Sequence, residues 1–161
     1  MGLFFPNSED IVTAIALPSQ NMLRQFQKAF RLQTRGKCLH KVTHQIESYV
    51  SESGIQMGLC NIFIRHSSAS LIIQENADPD VLTDLENYMT KLVPEDGHSY
   101  IHSAEGPDDM PAHIRSVLTH TSEQIPVSGG RLTLGTWQGI YVWEHRQRRH
   151  NREIVVHISG E

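Results

Sequence analysis

Residues Asn61 to His113 read NIFIRHSSASLIIQENADPDVLTDLENYMTKLVPEDGHSYIHSAEGPDDMPAH, and the fold class turns on this stretch. Leu59 to Ile64 (LCNIFI) has the composition of a buried strand that ends near His66. Ser67, Ser68 and Ser70 interrupt the apolar run and Leu71-Ile72-Ile73 resume it, which makes two buried strands or one long strand bent at the serines. A helix follows with clear local logic. Asp78 is placed to cap, Pro79 fills the first helical position where a missing N–H costs nothing, and Asp80 sits at the positive end of the dipole. Val81, Leu82, Leu85, Tyr88, Met89 and Leu92 recur every three or four residues, a stripe expected to face the core, and Pro94 stops the helix. A loop then gathers His102, Glu105, Asp108 and Asp109 ahead of His113, with a second short helix expected from about Pro111 to Leu118. Imidazoles and carboxylates thus collect at the ends of regular elements. Such a mixture of nitrogen and oxygen donors suits a metal ion or an acid–base pair.

Working outward, Phe26, Phe30 and Leu32 alternate imperfectly with polar neighbours, and Arg35-Gly36 punctuates before Cys38 to Val42. This pattern predicts two strands forming a hairpin. Thr43 stands where a helix N-cap belongs, Ile46, Tyr49 and Val50 follow at helical spacing, and Gly54 is the expected C-cap. Downstream, Gln124 to Val127, Arg131 to Leu134, Ile140 to Trp143 and Ile154 to Ile158 read as strands. Ser128-Gly129-Gly130 makes a tight turn, and the hydrophilic Arg146 to Arg152 is expected to close the last hairpin. The order of elements implies an α+β fold, a mainly antiparallel β-sheet or sandwich with two to three helices. Residues 1–23 show no sustained period and read as an N-terminal extension, leaving 24–161 as one domain.

The 161 residues suffice for one domain with a real core, and 39% hydrophobic against 20% charged residues argues against wholesale disorder. A net charge of −4 removes any general attraction to nucleic acid or an anionic membrane. No apolar stretch approaches the roughly 20 residues of a membrane span. The opening MGLFFPNSED carries acids where a signal peptide has a basic leader, and Pro6 occupies the hydroxyl position of a myristoylation signal. A cytoplasmic location is therefore expected. Cys38 and Cys60 lie in strand-like runs and read as small core residues with reduced thiols.

Ten histidines ask for an explanation beyond packing. His102 and His113 stand eleven apart around an acidic loop, and His66 at a strand end is the natural third ligand for a metal. The competing account makes Asp108 and Asp109 helix caps and the histidines surface residues. Glu75 qualifies as a base or as the partner that fixes a histidine tautomer. Ser68 and Ser70 lack the GxSxG context of a nucleophile, and their hydroxyls fit phosphate or ligand binding better. Gly135 and Gly139 bracket Trp137, which is either a stacking surface or core. Glu144 and Arg146 share one face of a strand and His145 takes the other. Arg146, Arg148, Arg149, His150 and Arg152 form the single basic patch, expected to be a solvated hairpin tip of which a phosphorylated substrate would use one or two arginines.

Three segments, HSSASLIIQENADPDV, HSAEGPDDMPAHIRS and GRLTLGTWQGIYVWEHR, strongly resemble the YjbQ-like family, often described as secondary thiamine-phosphate synthases. The resemblance runs from about Gln25 to the C-terminus. Where the family usually reads H-T-S-A-S this chain has His66-Ser67-Ser68-Ala69-Ser70, which keeps the hydroxyl. The resemblance implies a homotrimer and a weak activity joining a hydroxymethylpyrimidine diphosphate to a thiazole phosphate with loss of diphosphate. It carries the family's motif residues onto His66, Glu75, Asn76, His102, Glu105, Asp108, Asp109, His113, Trp137, Gln138, Glu144 and His145. The chain is accordingly expected to be a metal-binding enzyme acting on a small phosphorylated substrate. His66, His102 and His113 are the expected metal ligands, and Glu75, Asp108, Asp109 and Glu144 the catalytic or loop-orienting acids. Ser68, Ser70, Asn76, Trp137, Gln138 and Arg146 are the expected substrate contacts. The divalent metal is zinc on the count of histidines, or magnesium on the count of carboxylates. A metal-dependent hydrolase or phosphatase and a non-catalytic metabolite-binding trimer are the alternatives.

Overall fold

A computed structural model describes residues 22–161 apart from residue 97, so the extension expected over 1–23 lies almost wholly outside the described residues. In chain order the elements are β1 (Arg24–Gln33), β2 (Cys38–Lys41), α1 (Thr43–Ser53), β3 (Met57–Ile64), β4 (Ala69–Glu75) and α2 (Pro79–Leu92). They continue as α3 (Asp109–Leu118), β5 (Ser122–Ser128), β6 (Arg131–Leu132), β7 (Gln138–Glu144) and β8 (Asn151–Gly160). The strands form a five-stranded sheet in the order β1-β8-β3-β5-β6 and a three-stranded sheet in the order β2-β7-β4. Every pairing between them is antiparallel, and with three helices the fold is α+β.

Alternation explains the layering. Ile154, Val156 and Ile158 of β8 and Cys60, Ile62 and Ile64 of β3 turn inward. They meet Leu71 of β4, Ile140 and Val142 of β7, and Ile46 and Val50 of α1. Strand β7 is buried on both sides because its other face, Trp143 included, lies under the helices. There Trp143, Leu39 and Ile72 pack with Leu85 and Met89 of α2, Val93, and Ile114 of α3. The order from one side to the other is therefore large sheet, small sheet, then α2 and α3, while α1 packs into the core that the two sheets share.

Several local expectations are met. Asp78 Oδ1 accepts the Asp80 N–H at 2.9 Å, and Pro79 is the first helical residue. Gly54 caps α1 with φ of 66°, and Gly129 and Gly130, at 57° and 71°, turn the chain from β5 into β6.

Others need correction. The first two strands are not a hairpin: β1 pairs with β8 and β2 with β7, so Arg35-Gly36 carries the chain from one sheet to the other. The β7–β8 connection likewise crosses between sheets, and Arg146 within it and Arg152 at the start of β8 are buried instead of solvated. Thr43 lies inside α1, whose N-cap is Val42, because its hydroxyl serves β7 by accepting the Ile140 N–H at 2.9 Å. The stripe on α2 is only partly covered. Met89 is buried, whereas Tyr88 and Leu92 are 65% and 54% exposed. Helix α3 begins at Asp109, two residues before Pro111.

Candidate metal centre

Asp109 and His113 are four residues apart on α3, a spacing that puts both on one face. The loop before the helix brings His102 to the same place. His102 Nε2 lies 2.6 Å from Asp109 Oδ2, and His113 Nε2 lies 3.7 Å from that same oxygen. One donor atom from each of the three side chains falls within 4.8 Å of the other two. His113 Nδ1 is 2.8 Å from the carbonyl oxygen of Ser67. A carbonyl only accepts, so Nδ1 carries a proton and Nε2 is the ring nitrogen turned toward Asp109. The carboxylate is buried, while His102 is half exposed beside a cleft of about 180 Å³ lined by Tyr100, Ser103, Gly106 and Pro107. Lone pairs that converge in this way repel unless a cation or a proton stands between them.

The second oxygen of Asp109 is taken by Arg146 through Nη1. The same guanidinium donates from Nε to Asp108 Oδ2 at 3.0 Å and from Nη2 to the Glu105 carbonyl at 2.8 Å. Gln147 N–H adds a bond to Asp108 Oδ2 at 2.9 Å. Burial works to raise the Asp108 carboxyl, but the Gln147 N–H and the Arg146 guanidinium outweigh it and hold the group below the usual carboxylate range. Arg146, expected to meet substrate phosphate, is thus engaged by the protein's own acids.

Glu144 is fully buried on the strand that delivers Arg146. Its oxygens accept Arg152 Nε at 2.8 Å, Arg152 Nη2 at 2.5 Å, the Thr34 hydroxyl at 2.7 Å and the Arg146 N–H at 2.9 Å. Arg152 also donates to Ser68 Oγ at 3.1 Å. Ser70 Oγ pairs with His145 Nε2 at 2.9 Å, both groups inaccessible. His66 departs most from expectation. Its Nε2 accepts the Glu153 N–H at 2.9 Å, so it stands outside the cluster of donors and braces the turn next to Ser67. Burial, with Arg152 nearby, lowers its pKa, in keeping with a neutral acceptor ring.

The sequence profile of the UPF0047 YjbQ-like proteins matches residues 28–161. The chain belongs to the YjbQ-like family. A UPF0047 protein of Synechocystis sp. is 60% identical over 145 residues, covering 90% of this chain and 99% of that protein. The YjbQ protein of Escherichia coli O157:H7 is 39% identical over 137 residues, covering 84% and 99%. Among solved structures, a YbjQ-like protein of Sulfolobus solfataricus aligns with a TM-score of 0.80 at 28% identity, covering 87% of this chain and all of that one. A Clostridium acetobutylicum member gives 0.76 at 36% identity, covering 81% and 98%.

In this YjbQ-like chain the remaining expected site residues lie elsewhere. Ala69 pairs with Glu144 at the end of the small sheet near the cluster, and Glu75 pairs with Gln138 six residues further on, about 20 Å away. At that far end Asn76 Nδ2 donates to the Gln138 carbonyl at 2.9 Å, Gln138 Oε1 accepts the Gly135 N–H at 2.8 Å, and Glu75 Oε1 accepts the Ala77 N–H at 2.9 Å. Trp137 is 63% exposed there and is not core. Arg152 is read from sequence as part of a solvated basic tip, although a signal for its burial exists: it is in phase with the inward Ile154, Val156 and Ile158. The Ser67 carbonyl carried no such signal. Among the described residues no helix is long and apolar enough to cross a membrane.

Proposed function

We propose that this YjbQ-like protein is a metal-dependent enzyme acting on a small phosphorylated substrate, with thiamine-phosphate synthesis as its activity. In that reaction a hydroxymethylpyrimidine diphosphate and a thiazole phosphate are joined and diphosphate leaves. The observation that carries the reading is the convergence of His102 Nε2, His113 Nε2 and Asp109 Oδ2. Two imidazole nitrogens and one carboxylate oxygen fit zinc or a similar divalent ion. When bound, such an ion supplies positive charge against the oxygens of a departing or attacked phosphate. The protein's own groups prepare the site. The Ser67 carbonyl fixes the His113 tautomer, Arg146 fixes the angle of Asp109, and the open side of His102 faces the cleft where substrate has room. Assembly as a homotrimer, which the family resemblance implies, and a cytoplasmic location, expected from the character of the N-terminal residues, belong to the same proposal.

The test is elemental analysis of the purified protein beside His102→Ala and His113→Ala. Wild type is expected to hold metal and both variants to lose it, and unchanged content in both removes the assignment. A donor set dominated by nitrogen also favours a second reading, a metal-assisted hydrolase of phosphate esters. Turnover of the two thiamine precursors against turnover of phosphate monoesters separates the two.

A further inference from the structure

The acidic loop before α3 offers Glu105, Asp108 and Asp109, enough oxygen to attract magnesium, yet one oxygen of Asp108 and one of Asp109 are already taken. Arg146 is the cause. Its Nη1 occupies Oδ1 of Asp109 and its Nε occupies Oδ2 of Asp108, while Gln147 N–H takes the same Asp108 oxygen. Glu105 keeps an exposed carboxylate whose nearer oxygen is 3.9 Å from Arg146 Nη1. Only Asp109 Oδ2 is left facing the two imidazoles. Resting on the metal-binding reading above, we propose that Arg146 determines which metal the centre takes. By restricting Asp109 to a single free oxygen, it selects a tetrahedral, nitrogen-accepting ion such as zinc or cobalt(II) over magnesium.

Magnesium demands near-octahedral oxygen coordination and dehydrates reluctantly, so a pair of imidazoles with one oxygen serves it poorly. Zinc is content with that set plus one open position. The clamp is rigid enough to enforce the difference. Arg146 is 8% exposed, its main-chain N–H is held by Glu144 Oε1 at 2.9 Å, and Glu144 is itself held by Arg152. The fork also matters. One planar group serves two carboxylates and the Glu105 carbonyl at fixed angles, which the point charge of a lysine does not reproduce. Removing it frees Asp109 Oδ1 and Asp108 to swing toward the cluster, which adds oxygens and loosens the geometry.

The experiment titrates metal-stripped wild type, Arg146→Lys and Arg146→Gln with zinc, cobalt(II) and magnesium chlorides. Calorimetry gives affinities, the visible absorption of cobalt reports tetrahedral geometry, and circular dichroism verifies folding. Wild type is expected to bind zinc and cobalt and to ignore magnesium. Arg146→Gln should lose about 10- to 100-fold in zinc affinity, the usual effect of removing a group that orients a ligand. It should also gain magnesium binding and lose the intense tetrahedral cobalt bands. Arg146→Lys should fall between the two, and it decides the matter if Arg146→Gln does not fold. An unchanged zinc-to-magnesium preference in the folded variants, with zinc still bound by wild type, overturns the role of Arg146 alone. Wild type that binds none of the ions overturns the metal centre and this inference together.

Discussion

The Arg152 guanidinium grips the Glu144 carboxylate from two sides, 2.8 Å from Nε to Oε2 and 2.5 Å from Nη2 to Oε1, with both residues shut away from solvent. Breaking such a pair from one side strands a buried charge. Arg152→Ala should therefore cost about 3–5 kcal/mol of folding stability, well beyond the loss expected for an exposed ion pair. Urea unfolding measures it, and a loss under about 1 kcal/mol would mean that Glu144 finds other partners or water. The double replacement Glu144→Gln with Arg152→Met should recover part of the loss, because neither residue is then left charged and alone.

His145 sets an acid limit. Burial, reinforced by the Arg115 charge, pushes its pKa from 6.5 to about 3. The folded ring therefore stays neutral while the unfolded chain takes up a proton below about pH 6.5. The sign is fixed: stability is lost as pH falls from about 6.5 toward 3, by up to roughly 4 kcal/mol, and pH above 6.5 brings no further change from this group. Stability curves of wild type and His145→Gln should diverge in slope across that window. Parallel curves would exclude His145 as the titrating group.

Gly58 is required by a close approach of backbone. A Cβ there would stand 2.0 Å from the Ser159 carbonyl oxygen and 2.8 Å from Gly160 Cα in the paired strand. Gly58→Ala should thus part β3 from β8 locally and cost about 2 kcal/mol or more. Gly129→Ala meets nothing within 4 Å and bears only the left-handed backbone at φ of 57°, about 1 kcal/mol. Thermal melts of the two variants should rank them in that order.

The two thiols should be inert in the native protein. Burial pushes Cys60 up to about 12, and burial together with the Glu144 and Glu86 charges raises Cys38. Thiolate is the reactive form, so a disulfide reagent at neutral pH should label the folded chain slowly and the denatured chain fully. Rapid native labelling of Cys60 would contradict its buried placement, and rapid labelling of the half-buried Cys38 would contradict its raised pKa.

Local structure was well written in the sequence, and partnership was not. The cap at Asp78, the turn at Gly129-Gly130 and the alternation of Ile154, Val156 and Ile158 are decided within a few residues, and each is present. Alternation says which face of a strand is buried but not which strand lies beside it, so β1 and β2 were joined in a hairpin that does not exist. The candidate site divides along the same line. The four-residue spacing of Asp109 and His113 is a helical fact readable in advance. His66 is also a histidine at a strand end, but the main-chain N–H of Glu153 that fills its nitrogen comes from 87 residues away and has no signature. Likewise, the α2 period looked like core up to Leu92, though the neighbouring elements cover only part of it.

The small sheet keeps the pair Trp137 and Gln138 at one end and the Asp109 cluster at the other. A metabolite seated within a single copy reaches one end only. If copies assemble as the proposed homotrimer, work that the two sets share is done between chains and is open to rescue by mixing. Chains carrying Trp137→Ala combined with chains carrying His113→Ala would then regenerate some intact junctions and regain activity that neither parent shows, whereas ends that act separately give no such complementation.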